Sequence, residues 1–248
     1  MGHLDSHCHF DDTAFDPDRL EVAARACDRG LSALVVPGVT VAEFERPALW
    51  VPGLALHYAA GLHPVFDHPP DALSRLEAAL RTGRFVAVGE TGLDKRFMKE
   101  TSEALCAAQL DLAQAFGLPL ILHVVHVHEP MLALLKGRPG LRGVVHAFSG
   151  SQEVAKRYLG LGFKLGLGGI GTWPSAQKLH KAIASCPKDG YVLETDAPDL
   201  SPETWRGRRN EPSALVDVAE AVARLRGETT EEVLACSDAT GRELFGIT

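Results

Sequence analysis

The chain has 248 residues, 46% of them apolar, and a formal net charge of −7. That is enough apolar chain for a sizeable core, which argues against disorder, and the acidic balance draws neither nucleic acid nor an acidic membrane to the molecule as a whole. No apolar run approaches the roughly 18 residues of a membrane span. No basic region precedes an apolar segment at the N-terminus, and the five cysteines form no Cys-x-x-Cys pair, so reduced thiols and a cytoplasmic protein are expected.

One rhythm runs along the chain: a short apolar or β-branched run, a polar loop, then a segment of helical period. The runs at 4–9, 33–37, 55–62, 85–90, 120–124, 143–148, 163–167 and 191–195 are predicted strands. Between the fifth strand and its predecessor, Leu105, Gln109, Leu112 and Phe116 mark a helix closed by Gly117 and Pro119. Leu215, Val218, Val222 and Leu225 repeat the pattern before Gly227, and Thr229 with Glu232 forms a capping box that opens a last helix toward Phe245. Eight strands alternating with helices over this length predict a (β/α)8 barrel of the TIM type, as a single domain over 1–248. A doubly wound open sheet gives a similar alternation, and periodicity alone does not separate the two.

Polar residues interrupt this pattern at consistent places. The first strand ends in Asp5-Ser6-His7-Cys8-His9, where period-2 geometry sends Asp5, His7 and His9 to one face and Leu4, Ser6 and Cys8 to the other. Two imidazoles at that spacing stand about 7 Å apart at the backbone, within reach of one metal ion. The fourth predicted strand ends in Glu90, the fifth at His123, the sixth at His146 and the eighth at Asp196, while Gly61-Leu62-His63-Pro64 closes the third. In a barrel these C-terminal strand ends converge on one mouth. Burying so many ionisable groups without partners costs several kcal/mol each, and divalent cations offset that cost. Histidines and carboxylates without a thiolate suit hard-to-borderline ions. The six groups exceed what one catalytic ion needs, whereas two ions about 3.5–4 Å apart and bridged by a carboxylate use them all. Asp5, one step deeper on the first strand, is expected to support a histidine from behind.

In order and spacing these motifs, with Gly89-Glu90-Thr91-Gly92-Leu93-Asp94, His146-Ala147-Phe148-Ser149-Gly150, Glu194-Thr195-Asp196-Ala197-Pro198-Asp199 and Arg209-Asn210-Glu211-Pro212, resemble the TatD family of metal-dependent hydrolases, closest to its YjjV-like branch. The resemblance spans nearly the whole chain. It implies that His7, His9, Glu90 and Asp196 hold one divalent ion (zinc, magnesium or manganese) and that Glu90, His123 and His146 hold a second. It implies that Asp196 also takes a proton from a metal-activated water, that His63 contacts substrate, and that the substrate is a phosphodiester such as a DNA end. Many family members carry an Arg two residues after the strand-five His; here that position is Val125, with His126 and His128 nearby. The loss of a bidentate guanidinium favours an alternative in which the same centre hydrolyses a carboxylic ester, lactone or amide. A metal-holding scaffold without turnover is the remaining possibility, and Asp196 would then be superfluous.

Three further signals bear on ligands. Arg206, Arg208 and Arg209 cluster after strand eight, beside the expected mouth, and Arg209 is assigned to substrate binding; Lys95 and Arg96 follow strand four in the same way. Gly166-x-Gly168-x-x-Gly171 matches a dinucleotide fingerprint, but Thr172-Trp173-Pro174 follows where a helix must open, so no nucleotide cofactor is expected. Those glycines are expected to let the strand-seven backbone approach substrate. Ser149-Gly150-Ser151 is either an N-cap or a phosphate cradle.

Overall fold

The computed structural model describes residues 2–248. Its eight strands are β1 (His3–Asp5), β2 (Leu31–Val36), β3 (Ala55–Ala60), β4 (Ala87–Asp94), β5 (Leu120–Val125), β6 (Gly143–Val145), β7 (Phe163–Leu167) and β8 (Tyr191–Leu193). They lie in one sheet in sequence order, and every ladder is parallel. Parallel neighbours need crossovers, and the intervening helices supply them. The seam between β8 and β1 is closed by loop backbone: Ser6 N donates to Leu193 O (3.1 Å), Asp196 N to His7 O (2.9 Å) and His9 N to Ala197 O (2.9 Å). The molecule is therefore a (β/α)8 barrel and not an open doubly wound sheet.

Strand alternation sorts the core into two layers. Leu4, Ala33, Val35, Ala59, Ala87, Ile121, Val144 and Val192 fill the barrel interior, plugged at the strands' N-terminal end by Leu244, Phe245 and Ile247. The intervening residues, among them Leu34, Val36, Leu120, Leu122, Val145 and Leu193, pack outward against the helices. The same alternation aims the next residues inward at the opposite end: Ile121 and Val144 face in, so His123 and His146, two residues later, do as well.

The predicted helix ends are present. Gly117 and Gly227 close the helices Ser102–Phe116 and Leu215–Arg226 in left-handed geometry. Thr229 and Glu232 make the reciprocal capping box of Thr230–Phe245. Ser151 caps Gln152–Gly160, its hydroxyl accepting from Val154 N, so the Ser149–Ser151 stretch has a structural role. The Gly166–Gly171 stretch runs into a four-residue 3-10 turn, and the next helix starts only at Gln177.

Only β7 keeps the predicted bounds, and two of the departures bear on the site. β1 ends at Asp5, because residues 6–9 leave the ladder to bond the chain beyond β8 and Val35 O. Leu4 accordingly faces the barrel interior and Asp5 the other way, so Asp5 does not share a face with His7 and His9. β4 runs on past Glu90 to Asp94, with a shift of register between Val88 and Thr91.

Candidate metal centre

Glu90 stands at the middle of the mouth, 2% exposed, and both of its oxygens meet imidazoles. On one side Oε1 lies 2.8 Å from His123 Nδ1, 2.8 Å from His146 Nε2 and 3.1 Å from His63 Nε2. On the other, Oε2 lies 3.4 Å from His7 Nε2 and 3.6 Å from His9 Nε2. Asp196 Oδ1 completes that second group, 3.3 Å from His7 and 3.6 Å from His9. The structure thus brings His7, His9, Glu90, His123, His146 and Asp196 together, with His63 against them.

The donor set fits divalent ions. His7 Nε2 and His9 Nε2 face one another at 3.3 Å, as do His123 Nδ1 and His146 Nε2, so in each pair two ring nitrogens converge on the same space. Ligands about 2.1 Å from a tetrahedral ion stand roughly 3.4 Å apart, and the spacings around His7, His9, Glu90 Oε2 and Asp196 Oδ1 are 3.3–3.6 Å. The three atoms Glu90 Oε1, His123 Nδ1 and His146 Nε2 are drawn closer, at 2.8–3.3 Å.

Local backbone explains how the groups reach these positions. Asp196 has φ of 56° and Ala147, directly after His146, has 44°. Such values are uncommon outside glycine, and here the seam hydrogen bonds hold the first of them. Gly92 lies where β4 and β5 come closest: a Cβ there would sit 1.9 Å from His123 O. Any side chain at Gly92 would push His123 off its strand.

Charge follows from the packing. Burial alone would raise Glu90, but His146, His63 and His123 hold its carboxyl well below the usual range. Asp196, likewise opposed by burial, is lowered by His7 and its neighbours. Burial works against a charge on His7, yet Asp196 and Glu90 hold its imidazolium well above the ordinary value. Burial and the adjacent His7 push His9 down to about 4.

Two carboxylates back the histidines, and neither was singled out from the sequence. Asp94, the last residue of β4, accepts from His123 Nε2 at 3.0 Å, which leaves Nδ1 aimed at Glu90. Asp94 is also bound by Arg96 through its backbone and guanidinium. Glu194 accepts from Ala147 N (2.5 Å) and lies 3.7 Å from His146 Nδ1. An outer carboxylate hydrogen-bonded as Asp94 is fixes the tautomer and ring orientation of its histidine; Glu194 acts on His146 through the neighbouring backbone. Both lie inside the Gly-Glu-Thr-Gly-Leu-Asp and Glu-Thr-Asp motifs, which was the available signal.

Glu194 also corrects the expectation for the strand-seven glycines. A Cβ on Gly166 would stand 2.3 Å from Glu194 Oε2, so the missing side chain makes room for this buried acid and not for substrate. Asp5 supports His7 through its main chain: its carboxylate accepts from His7 N (3.1 Å), Thr195 N (3.0 Å) and Thr195 Oγ1 (2.5 Å), and it does not touch the ring.

The substrate-side expectations fare less evenly. His63 lines the mouth, a cavity of about 620 Å³, beside Glu90 and Asp196. Arg209 does not reach it. Its guanidinium is held by Asp18 at 2.8 Å through both terminal nitrogens and lies 4.8 Å over the Phe15 ring, an ion pair formed across 191 residues. Arg206 pairs with Glu203, and Arg208 lies over Trp205. His126 is exposed, and His128 turns its Nδ1 to the Tyr158 hydroxyl at 3.2 Å. The arginines that do line the cavity are Arg46 and Arg96. Val125 is the register partner of Asp94, so the guanidinium at this end of the β4–β5 pair is Arg96.

The buried acids make stability depend on pH. Burial raises Glu194 to about 8 and Asp5 to about 7. A carboxyl raised in the folded state keeps a proton that the unfolded chain releases, so stability is full below pH ~4 and falls as pH rises toward 8. Glu194→Gln cannot ionise. Chelated Glu194→Gln protein is expected to lose less of its melting temperature between pH 5 and pH 8.5 than the parent; an equal loss in both would contradict the assignment.

A (β/α)8 barrel with clustered histidines and carboxylates at the C-terminal strand ends has the architecture of a metal-dependent hydrolase. The family model described as TatD related DNase matches residues 4–246. The metal-dependent hydrolase YjjV of Escherichia coli K12 is 37% identical over 241 residues, covering 93% of this chain and 92% of its own. The 3′-5′ ssDNA/RNA exonuclease TatD of Erwinia billingiae is 34% identical over 253 residues, covering 95% of each. The crystal structure of E. coli YjjV superposes with a TM-score of 0.88 at 33% identity, over 99% of this chain and 98% of the other. The chain belongs to the TatD family and is a metal-dependent hydrolase. No helix among the described residues is long and apolar enough to cross a membrane.

Proposed function

We propose that the protein is a binuclear phosphodiesterase that removes nucleotides from the ends of single-stranded nucleic acid. The observation that carries this reading is Glu90, a single buried carboxylate shared between two ligand groups. His7, His9, Glu90 and Asp196 would hold one divalent ion (zinc, magnesium or manganese), and Glu90, His123 and His146 the other. Such ions, when bound, acidify water and stabilise charge developing on phosphoryl oxygens. The chain's own residues do the rest. Asp196 is 8% exposed, lines the cavity and is ionised at neutral pH, so it can take the proton of an attacking water. His63 stands on the cavity wall within reach of a substrate oxygen. Asp94 holds His123 in orientation from behind through its Nε2, and Glu194 holds the backbone next to His146 by accepting from Ala147 N. The relatives named as ssDNA/RNA exonucleases support the choice of substrate.

The test is cleavage of an end-labelled single-stranded oligonucleotide after chelation and reloading with magnesium, manganese or zinc. Stepwise shortening from one end with at least one ion is expected, and an intact strand with all three would overturn the reading. Val125, which places no charge beside the cavity, favours a second reading, hydrolysis of a carboxylic ester, lactone or amide at the same centre. Turnover of an acyl ester by protein that leaves every phosphodiester intact would establish it.

A further inference from the structure

The mouth has two unlike walls. On the side built by the loops after β8, β1 and β2, it is lined by Asp199, Asp11, Asp12 and Glu43. Arg46 is the one guanidinium there, 3.7 Å from both Asp11 and Glu43. The loops after β3 and β4 present Phe66 and Phe97 instead, with Arg96 beside them. These two rings are 46% and 43% exposed, and both line the cavity that holds Glu90 and Asp196. The Arg96 guanidinium lies 5.6 Å from the Phe97 ring centre and is anchored by Asp94.

Exposed aromatic rings forgo burial, and two of them on adjacent loops at the entrance to a charged centre make a platform for flat apolar groups. The charge pattern selects which flat groups. A polyanion leaving the centre is repelled by the carboxylate wall and meets a cation on the aromatic one. Single-stranded nucleic acid combines the two properties, stacking its bases on aromatic rings while its phosphates track basic groups.

Resting on the phosphodiester reading, we propose that Phe66 and Phe97 form a base-stacking subsite, flanked by Arg96, over which the uncleaved part of a single strand leaves the metal centre. The strand runs out across the loops after β3 and β4, away from Asp11, Asp12, Glu43 and Asp199. The platform lies outside the two ligand groups and acts on binding, so its loss should appear in KM and not in kcat.

The experiment compares two oligonucleotides of equal length, one intact and one with abasic residues at the three positions next to the cleaved end. With metal-loaded parent protein the abasic strand should show a KM roughly a hundredfold higher, the combined effect of losing two base–aromatic stacks at roughly tenfold each. Phe66→Ala and Phe97→Ala should each raise KM for the intact strand roughly tenfold at unchanged kcat, and their combination should bind both strands alike. Phe66→Trp and Phe97→Trp should retain parental KM, which separates loss of the ring from loss of fold. Dissociation constants measured by fluorescence anisotropy on turnover-arrested Asp196→Asn protein should show the same pattern. The subsite is overturned if the parent does not distinguish the two strands, or if the alanine variants weaken both equally. If the parent cleaves neither strand with any metal, the phosphodiester reading has failed, and the subsite with it.

Discussion

Glu90→Gln is expected to abolish metal-dependent hydrolysis, with kcat/KM falling by about 10³ or more. The reason is positional. Glu90 presents one carboxylate oxygen to each ligand group, its Oε1 against His123, His146 and His63 and its Oε2 against His7 and His9. A glutamine keeps the shape but presents one oxygen and one NH2 group. Whichever way it turns, one set of imidazoles meets a donor where it had an acceptor, and the negative charge between them is gone. Metal content should fall together with activity, and the far-ultraviolet circular dichroism should stay that of the parent, since Glu90 contributes no strand or helix contact that glutamine lacks. Parental activity and metal content in Glu90→Gln would show that the two groups do not share a bridge.

Asp196→Asn is expected to lower kcat by about 10² to 10⁴, the usual worth of a positioned general base, with the second ligand group still able to take up metal. The variant is a clean one because Asp196 sits at φ of 56°, a conformation that asparagine tolerates about as well as aspartate. Its amide also keeps the size of the carboxylate in the gap between His7 and His9. The loss is therefore one of charge and basicity. A kcat within tenfold of the parent would remove Asp196 from the catalytic role and return it to a plain ligand.

How much of this was legible in the sequence depends on whether local periodicity or tertiary contact decides. All eight strands lie where short apolar runs place them, and His123 and His146 face the mouth because alternation in β5 and β6 is unbroken from Ile121 and Val144. Period-2 reasoning failed where the ladder stops. After Asp5 the backbone turns to bond Leu193 and Ala197 across the seam, so Leu4 faces in and Asp5 does not. Across Val88–Thr91 the register shifts, which extends β4 to Asp94 and sets that carboxylate against His123. Arg209 is the clearest tertiary case. Its place in a charged loop beside the mouth was visible, but the Asp18 carboxylate that claims it lies far away in sequence. Glu194 was legible as a motif letter only, since its role depends on the space left by Gly166 on the neighbouring strand.

The most direct test of the central claim is a metal titration of chelated protein, read as initial rate of single-strand shortening against ions bound per chain. Two ligand groups sharing Glu90 predict a rate that remains low while the first ion binds and reaches its plateau at two ions per chain. A plateau at one ion per chain, or no shortening at any ratio, would contradict it.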